Sequence, residues 1–112
     1  VTYEFIAPFI QTYVRTTQRQ KWVDARYKRY QKAKAVFRAI ADTAHIPADL
    51  SRAASVEISV FWKARPRGDL DNVVKFVLDA LWKQDRKVTE ISAKAIPNSR
   101  ADLLSVRVHV LG

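Results

Sequence analysis

The sequence predicts a two-layer α+β domain, a four-stranded sheet carrying two helices, in one unit spanning residues 1–112. Three observations lead there. Residues 55–62, SVEISVFW, alternate apolar and polar, the mark of a strand with one buried face. Two segments carry apolar residues at helical spacing. The elements then follow in the order strand, helix, strand, helix, strand, strand, and no internal repeat is visible.

The first strand is residues 2–7. Tyr3, Phe5 and Ala7 share one side, Glu4 and Ile6 the other, and Pro8 ends the run. Residues 9–24 read as a long irregular connection, and loops of that length usually carry function. Asp24 is a candidate cap for a helix starting at Ala25, whose stripe is Tyr30, Ala33, Phe37, Ile40, Ala41 and Ala44. His45 and Pro47 break it. In the second strand Val56, Ile58, Val60 and Trp62 point one way, leaving Phe61 either to core packing or to an interface. A second helix is predicted over about 71–83, with Val73, Val74, Val77, Leu78 and Leu81 inward and Asp71 or Asn72 as its cap. Strands at about 87–95 and 102–110 flank a turn at Pro97–Ser99, and so short a link predicts that they pair antiparallel.

Charge narrows the function. The chain carries 20 Lys plus Arg against 11 Asp plus Glu, a net charge of +9. Residues 15–38 hold nine of those bases and one acid, Asp24. A polyanion, above all a nucleic-acid backbone, is the natural partner for that concentration. A solvated helix face is the plainer alternative. The basic segment lacks the strong Trp/Leu/Phe face of a membrane-surface helix. Zero Cys excludes disulfides, thiol catalysis and Cys-ligated metals. No apolar run is long enough to span a membrane, and no secretory pattern is present, so an intracellular setting is expected.

The chemistry concentrates in residues 65–88. Asp69 and Asp71 bracket Leu70, and in extended backbone they would face the same way, about 6.6 Å apart along the chain. Close carboxylates repel unless a cation lies between them, and magnesium prefers a few carboxylate oxygens plus water. Asp71, Lys75 and Asp79 lie four apart on one helical stripe. Lys75 could meet a phosphate there, with Asp79 holding it in place, and Asp85 could supply a third carboxylate. Each feature also has an ordinary structural reading: a capping pair, a helix ion pair, a polar turn. Trp22, Trp62 and Trp82 read as packing residues, with Trp22 also placed to stack on a base. His45 and His109 carry no catalytic pattern.

The run Asp69-Leu70-Asp71-Asn72, followed by Lys75 and Asp79-Ala80-Leu81, resembles the signature of the RusA family of Holliday junction resolvases, over nearly the whole chain. The resemblance implies a small mixed sheet with helices and a homodimer acting on branched DNA. It implies a crossover junction endodeoxyribonuclease that makes two symmetric nicks by metal-activated water, with magnesium (or manganese) as the metal. Asp69, Asp71 and Asp85 match its metal carboxylates and Lys75 its catalytic lysine. It implies no small-molecule substrate and no membrane, and a cytoplasmic enzyme of bacterial or prophage origin. Arg15, Arg19, Lys21, Arg26, Lys28, Arg29, Lys32, Lys34, Lys63, Arg65 and Arg67 are then the expected DNA-gripping residues. The chain is four or five residues shorter than the family pattern after Leu81, and Gln84-Asp85 stands where the family has two acids. Two readings of the residues compete: a non-catalytic basic nucleic-acid binder, and a nuclease for flaps or other branched DNA.

Overall fold

In the computed structural model, residues 1–8, 25–66 and 68–111 are described, residues 25 and 26 as backbone only. The elements are β1 (Thr2–Pro8), α1 (Ala25–Thr43), β2 (Ala54–Phe61), α2 (Leu70–Leu81), β3 (Val88–Ile96) and β4 (Leu103–Val110). This is the expected two-layer α+β order. The strands form one mixed sheet in the order β1-β4-β2-β3. β4 runs antiparallel to both β1 and β2, and β2 pairs with β3 in parallel. The expected β3–β4 hairpin is therefore replaced. The connection from β3 to β4 passes over the end of β2, where the Asn98 N–H donates to Ala64 O (3.0 Å) and the Ser99 N–H to Trp62 O (2.8 Å). Asn98 makes the turn with φ 56°, a left-handed geometry that Asn tolerates.

Burial explains that order. Leu104, Val106 and Val108 of β4 are fully buried on one face, as are Val56, Ile58 and Val60 of β2. The two most apolar strand faces take the centre of the sheet, under the helices. Tyr30, Ala33, Phe37 and Ala41 of α1 and Val73, Phe76, Val77 and Leu81 of α2 close the core from one side. Edge-to-face rings link the layers: Phe5–Phe37 at 5.2 Å, Phe37–Phe76 at 5.3 Å and Tyr30–Phe76 at 5.9 Å. Trp62 and Trp82 are buried as packing residues, and the Trp82 indole donates to Pro47 O at 2.9 Å. Phe61 lies half-buried on the other face. That face is polar, with Arg107 bridging Glu4 (2.9 Å) and Glu57 (3.3 Å).

Helix α1 ends in a two-bond cap. The Ile46 N–H donates to Ala41 O (3.3 Å) and the His45 N–H to Asp42 O (3.0 Å), with buried Ile46 sealing the turn. His45 occupies the left-handed position at φ 63°, where Gly is the unstrained residue. His45→Gly is expected to stabilise the fold by about 1 kcal/mol, raising Tm by roughly 4 °C in a thermal melt. An unchanged or lower Tm would mean that the imidazole makes up for the backbone cost.

Candidate active site

The loop after β2 delivers the carboxylate pair. It is pinned at its start, where the Lys63 N–H donates to Asp102 Oδ1 at 2.7 Å. Helix α2 then begins one residue earlier than its periodicity predicts, and its cap is Asp69 rather than Asp71 or Asn72. The Asp69 carbonyl accepts from the N–H groups of Asn72 (3.1 Å) and Val73 (3.2 Å), while its backbone stays extended at φ −72°, ψ 138°. Its carboxylate makes no capping hydrogen bond, so its oxygens are not spent on the helix. Leu70 is the first helical residue and packs against the core, which leaves Asp71 exposed in the first turn. The pair thus sits on a helix terminus rather than on extended strand. The positive end of the helix dipole favours two carboxylates there.

Asp71, Lys75 and Asp79 are all exposed along one stripe of α2, as their spacing predicts. Asp79 also reaches a second helix. Its Oδ2 accepts from the buried Tyr30 hydroxyl at 2.7 Å and from Lys34 Nζ at 2.9 Å, tying α2 to α1. Lys34 also lies 5.1 Å from the Tyr30 ring centroid. Asp79 therefore anchors the helix that presents Asp71 and Lys75. These contacts join residues 49 and 45 positions apart, which no local pattern reveals.

Asp85 does not join the pair within one chain. α2 ends at Leu81 with Trp82 as its C-cap, and the chain turns directly through 83–87 into β3, so the short connection after Leu81 is continuous. A helix of 12 residues is about 18 Å long, and Asp85 lies past its far end. The sheet register agrees. Asp85 precedes Val88, which pairs with Ala54 at the start of β2, whereas Asp69 follows Phe61 at its finish. Among the described residues no three acidic or His side chains are gathered into a metal-holding group. The donor set of Asp69 and Asp71 still fits magnesium, which takes one or two carboxylates and keeps several waters.

Exposed bases lie on α1 and on the loop that leads into α2. Lys28, Arg29 and Lys32 project from α1, and Lys63 and Arg65 from the loop before α2. Lys34 is placed otherwise, only 19% exposed and paired with Asp79. Arg15, Arg19, Lys21, Trp22 and Arg67 lie outside the described residues, and of Arg26 only the backbone is described. Lys83, Arg86 and Lys87 flank Asp85 in the sequence and are all exposed. Their sequence signal was three bases around one acid, which reads equally well as a polar turn.

No helix among the described residues is long and apolar enough to cross a membrane. No curated protein matches the sequence. A family model described as endodeoxyribonuclease RusA matches residues 6–109, nearly the whole chain. Enzymes of that kind are magnesium-dependent nucleases of branched DNA. A carboxylate pair at a helix start, a lysine one turn on and a basic flank suit that chemistry, and the chain belongs to the RusA family of endodeoxyribonucleases, the Holliday junction resolvases.

Proposed function

We propose that this protein cuts four-way DNA junctions by paired, symmetric nicks, using the α2 terminus as its catalytic centre. The observation that carries the reading is the pair of exposed carboxylates, Asp69 and Asp71, with Lys75 one turn along the same helix. Asp69 and Asp71 hold magnesium, and Asp85 completes the site from a second copy of the chain. When bound, the metal supplies Lewis acidity and activates the attacking water. Lys75 faces the scissile phosphate and offsets the charge that develops on its oxygens. Tyr30 and Lys34 act through Asp79 as positioning residues. Two such centres related by a two-fold axis match the near two-fold symmetry of a junction, so the two nicks fall symmetrically.

The test is cleavage of a mobile four-way junction, with and without magnesium, beside a linear duplex of matched sequence. Paired nicks on opposite strands of the junction alone, lost when magnesium is chelated, are expected. Junction binding with no cutting in magnesium or manganese would overturn the reading in favour of a binding protein. Preferred cutting of flaps would reassign the substrate.

The bases of α1 grip phosphate without reading sequence. Replacing Lys28, Arg29 and Lys32 together by Ala should reduce the slope of log K against log salt by up to about 3, one ion released per contact. All three are exposed, so the melting curve should not move. A salt slope equal to that of the parent protein would place the DNA on another face.

A further inference from the structure

The link from β3 to β4 does more than reverse the chain. It bonds to the root of the loop that delivers Asp69. The Trp62 N–H donates to Ile96 O (2.8 Å), and Trp62 O accepts from the Ser99 N–H (2.8 Å). Ala64 O accepts from the Asn98 N–H (3.0 Å). A fourth bond is of another kind: the Lys63 N–H donates to the Asp102 carboxylate at 2.7 Å. Residues 96–102 thus hold four backbone groups of residues 62–64. Three of these bonds run from backbone to backbone. The fourth alone depends on a side chain, and its ionised acceptor makes it the strong member of the set. Trp62 also fastens this root to the core, where its side chain is fully buried.

The two carboxylates depend on this root to different degrees. Asp71 lies inside α2, so the helix sets its place, and Val73, Phe76, Val77 and Leu81 fix the helix on the core. Asp69 is the N-cap, half outside the helix, with extended backbone at φ −72°, ψ 138°. Its side chain makes no capping bond that would tie it to the helix. The direction from which the loop arrives therefore sets where the Asp69 carboxylate points.

We propose that Asp102 is a positioning residue of the catalytic centre: by holding the Lys63 N–H it fixes the loop and so aims the Asp69 carboxylate. The proposal rests on the α2 terminus being that centre. Asp102 touches neither substrate nor metal in this role. A reacting group misplaced by about 1 Å can cost about 100-fold in rate, so one bond at the loop root is enough to matter. The role requires an acceptor oxygen and not a charge. An amide in place of the carboxylate should therefore serve, which is the reverse of what a metal ligand needs.

Asp102→Ala should slow single-turnover cutting of a four-way junction by roughly 10- to 100-fold at saturating enzyme, and change the junction dissociation constant by less than about twofold. Asp102→Asn, whose amide oxygen still accepts from Lys63, should cut within about threefold of the parent rate. Hydrogen exchange reads the loop without any cutting. In Asp102→Ala the Lys63 amide should lose protection while the Phe76 and Val77 amides keep theirs, and in Asp102→Asn all three should stay protected. Parent-like cutting by Asp102→Ala, an Asp102→Asn protein as slow as Asp102→Ala, or faster exchange throughout the core would each overturn the proposal. The second of these results would mean that Asp102 acts by its charge, and the third that it only holds the fold together. A parent protein that cuts no DNA would instead refute the reading of the α2 terminus, with the exchange pattern still deciding whether Asp102 holds the loop.

Discussion

Asp71→Asn should abolish junction cutting, by about 10³-fold or more in the single-turnover rate, while junction binding persists. The substitution keeps shape and removes charge. Asp71 is exposed in the first turn of α2 and makes none of the packing contacts that hold the helix, which come from Val73, Phe76, Val77 and Leu81. Its favourable interaction with the helix dipole is worth at most about 1 kcal/mol, so the fold should survive, and circular dichroism checks that it does. The metal site loses one of two anionic ligands in the chain. Affinity for DNA, measured with the metal chelated, should hold or rise slightly, because a carboxylate beside a phosphate repels it. This split between rate and binding is what a catalytic group gives and a structural one does not. A cutting rate within threefold of the parent would remove Asp71 from the centre and the proposed chemistry with it.

Much of the fold was legible because burial writes a period into the chain. β2 shows it best: Val56, Ile58, Val60 and Trp62 were assigned to one face by alternation alone, and all four are buried. The α1 stripe was legible for the same reason, with Tyr30, Ala33, Phe37 and Ala41 inward. Adjacency was not legible. A short turn after Ile96 fixes the relative direction of β3 and β4 but not their neighbours. The fully buried Leu104, Val106 and Val108 face gains more under the helices between β1 and β2 than it would beside β3, most of which stays exposed.

The same division runs through the candidate site. Asp69, Asp71 and Lys75 are close in sequence and share one short helix start, so spacing was enough to group them. The true cap was missed because an acid at either of two positions satisfies the pattern, and only the Asp69 carbonyl, bonded to Asn72 and Val73, decides between them. The bonds from Tyr30 and Lys34 to Asp79 were not legible, because helical spacing shows neighbours on one helix and is blind to the next. Asp85 is the largest departure. Its place at the metal came from the family resemblance and required the chain to turn back after Leu81, but a straight helix carries the chain to the opposite end of the sheet.

That departure leads to the second large effect. Asp71→Asn and Asp85→Asn proteins should each be inactive alone, yet active when mixed. If Asp85 serves the partner's centre, a mixed dimer holds one centre with both lesions and one with none. Equal mixing makes about half of the dimers mixed, each with one intact centre of two, so nicking should return to about a quarter of the parent level. The product should also change. A dimer with one live centre nicks one strand, so nicked junctions should accumulate in place of paired duplex products. Were Asp85 to act within its own chain, every centre in the mixture would carry one lesion and no activity would return. A helix of 12 residues standing between Asp69 and Asp85 makes that second outcome the unexpected one. It would require α2 to unwind when the enzyme meets DNA, at the expense of the Phe76, Val77 and Leu81 packing that closes the core.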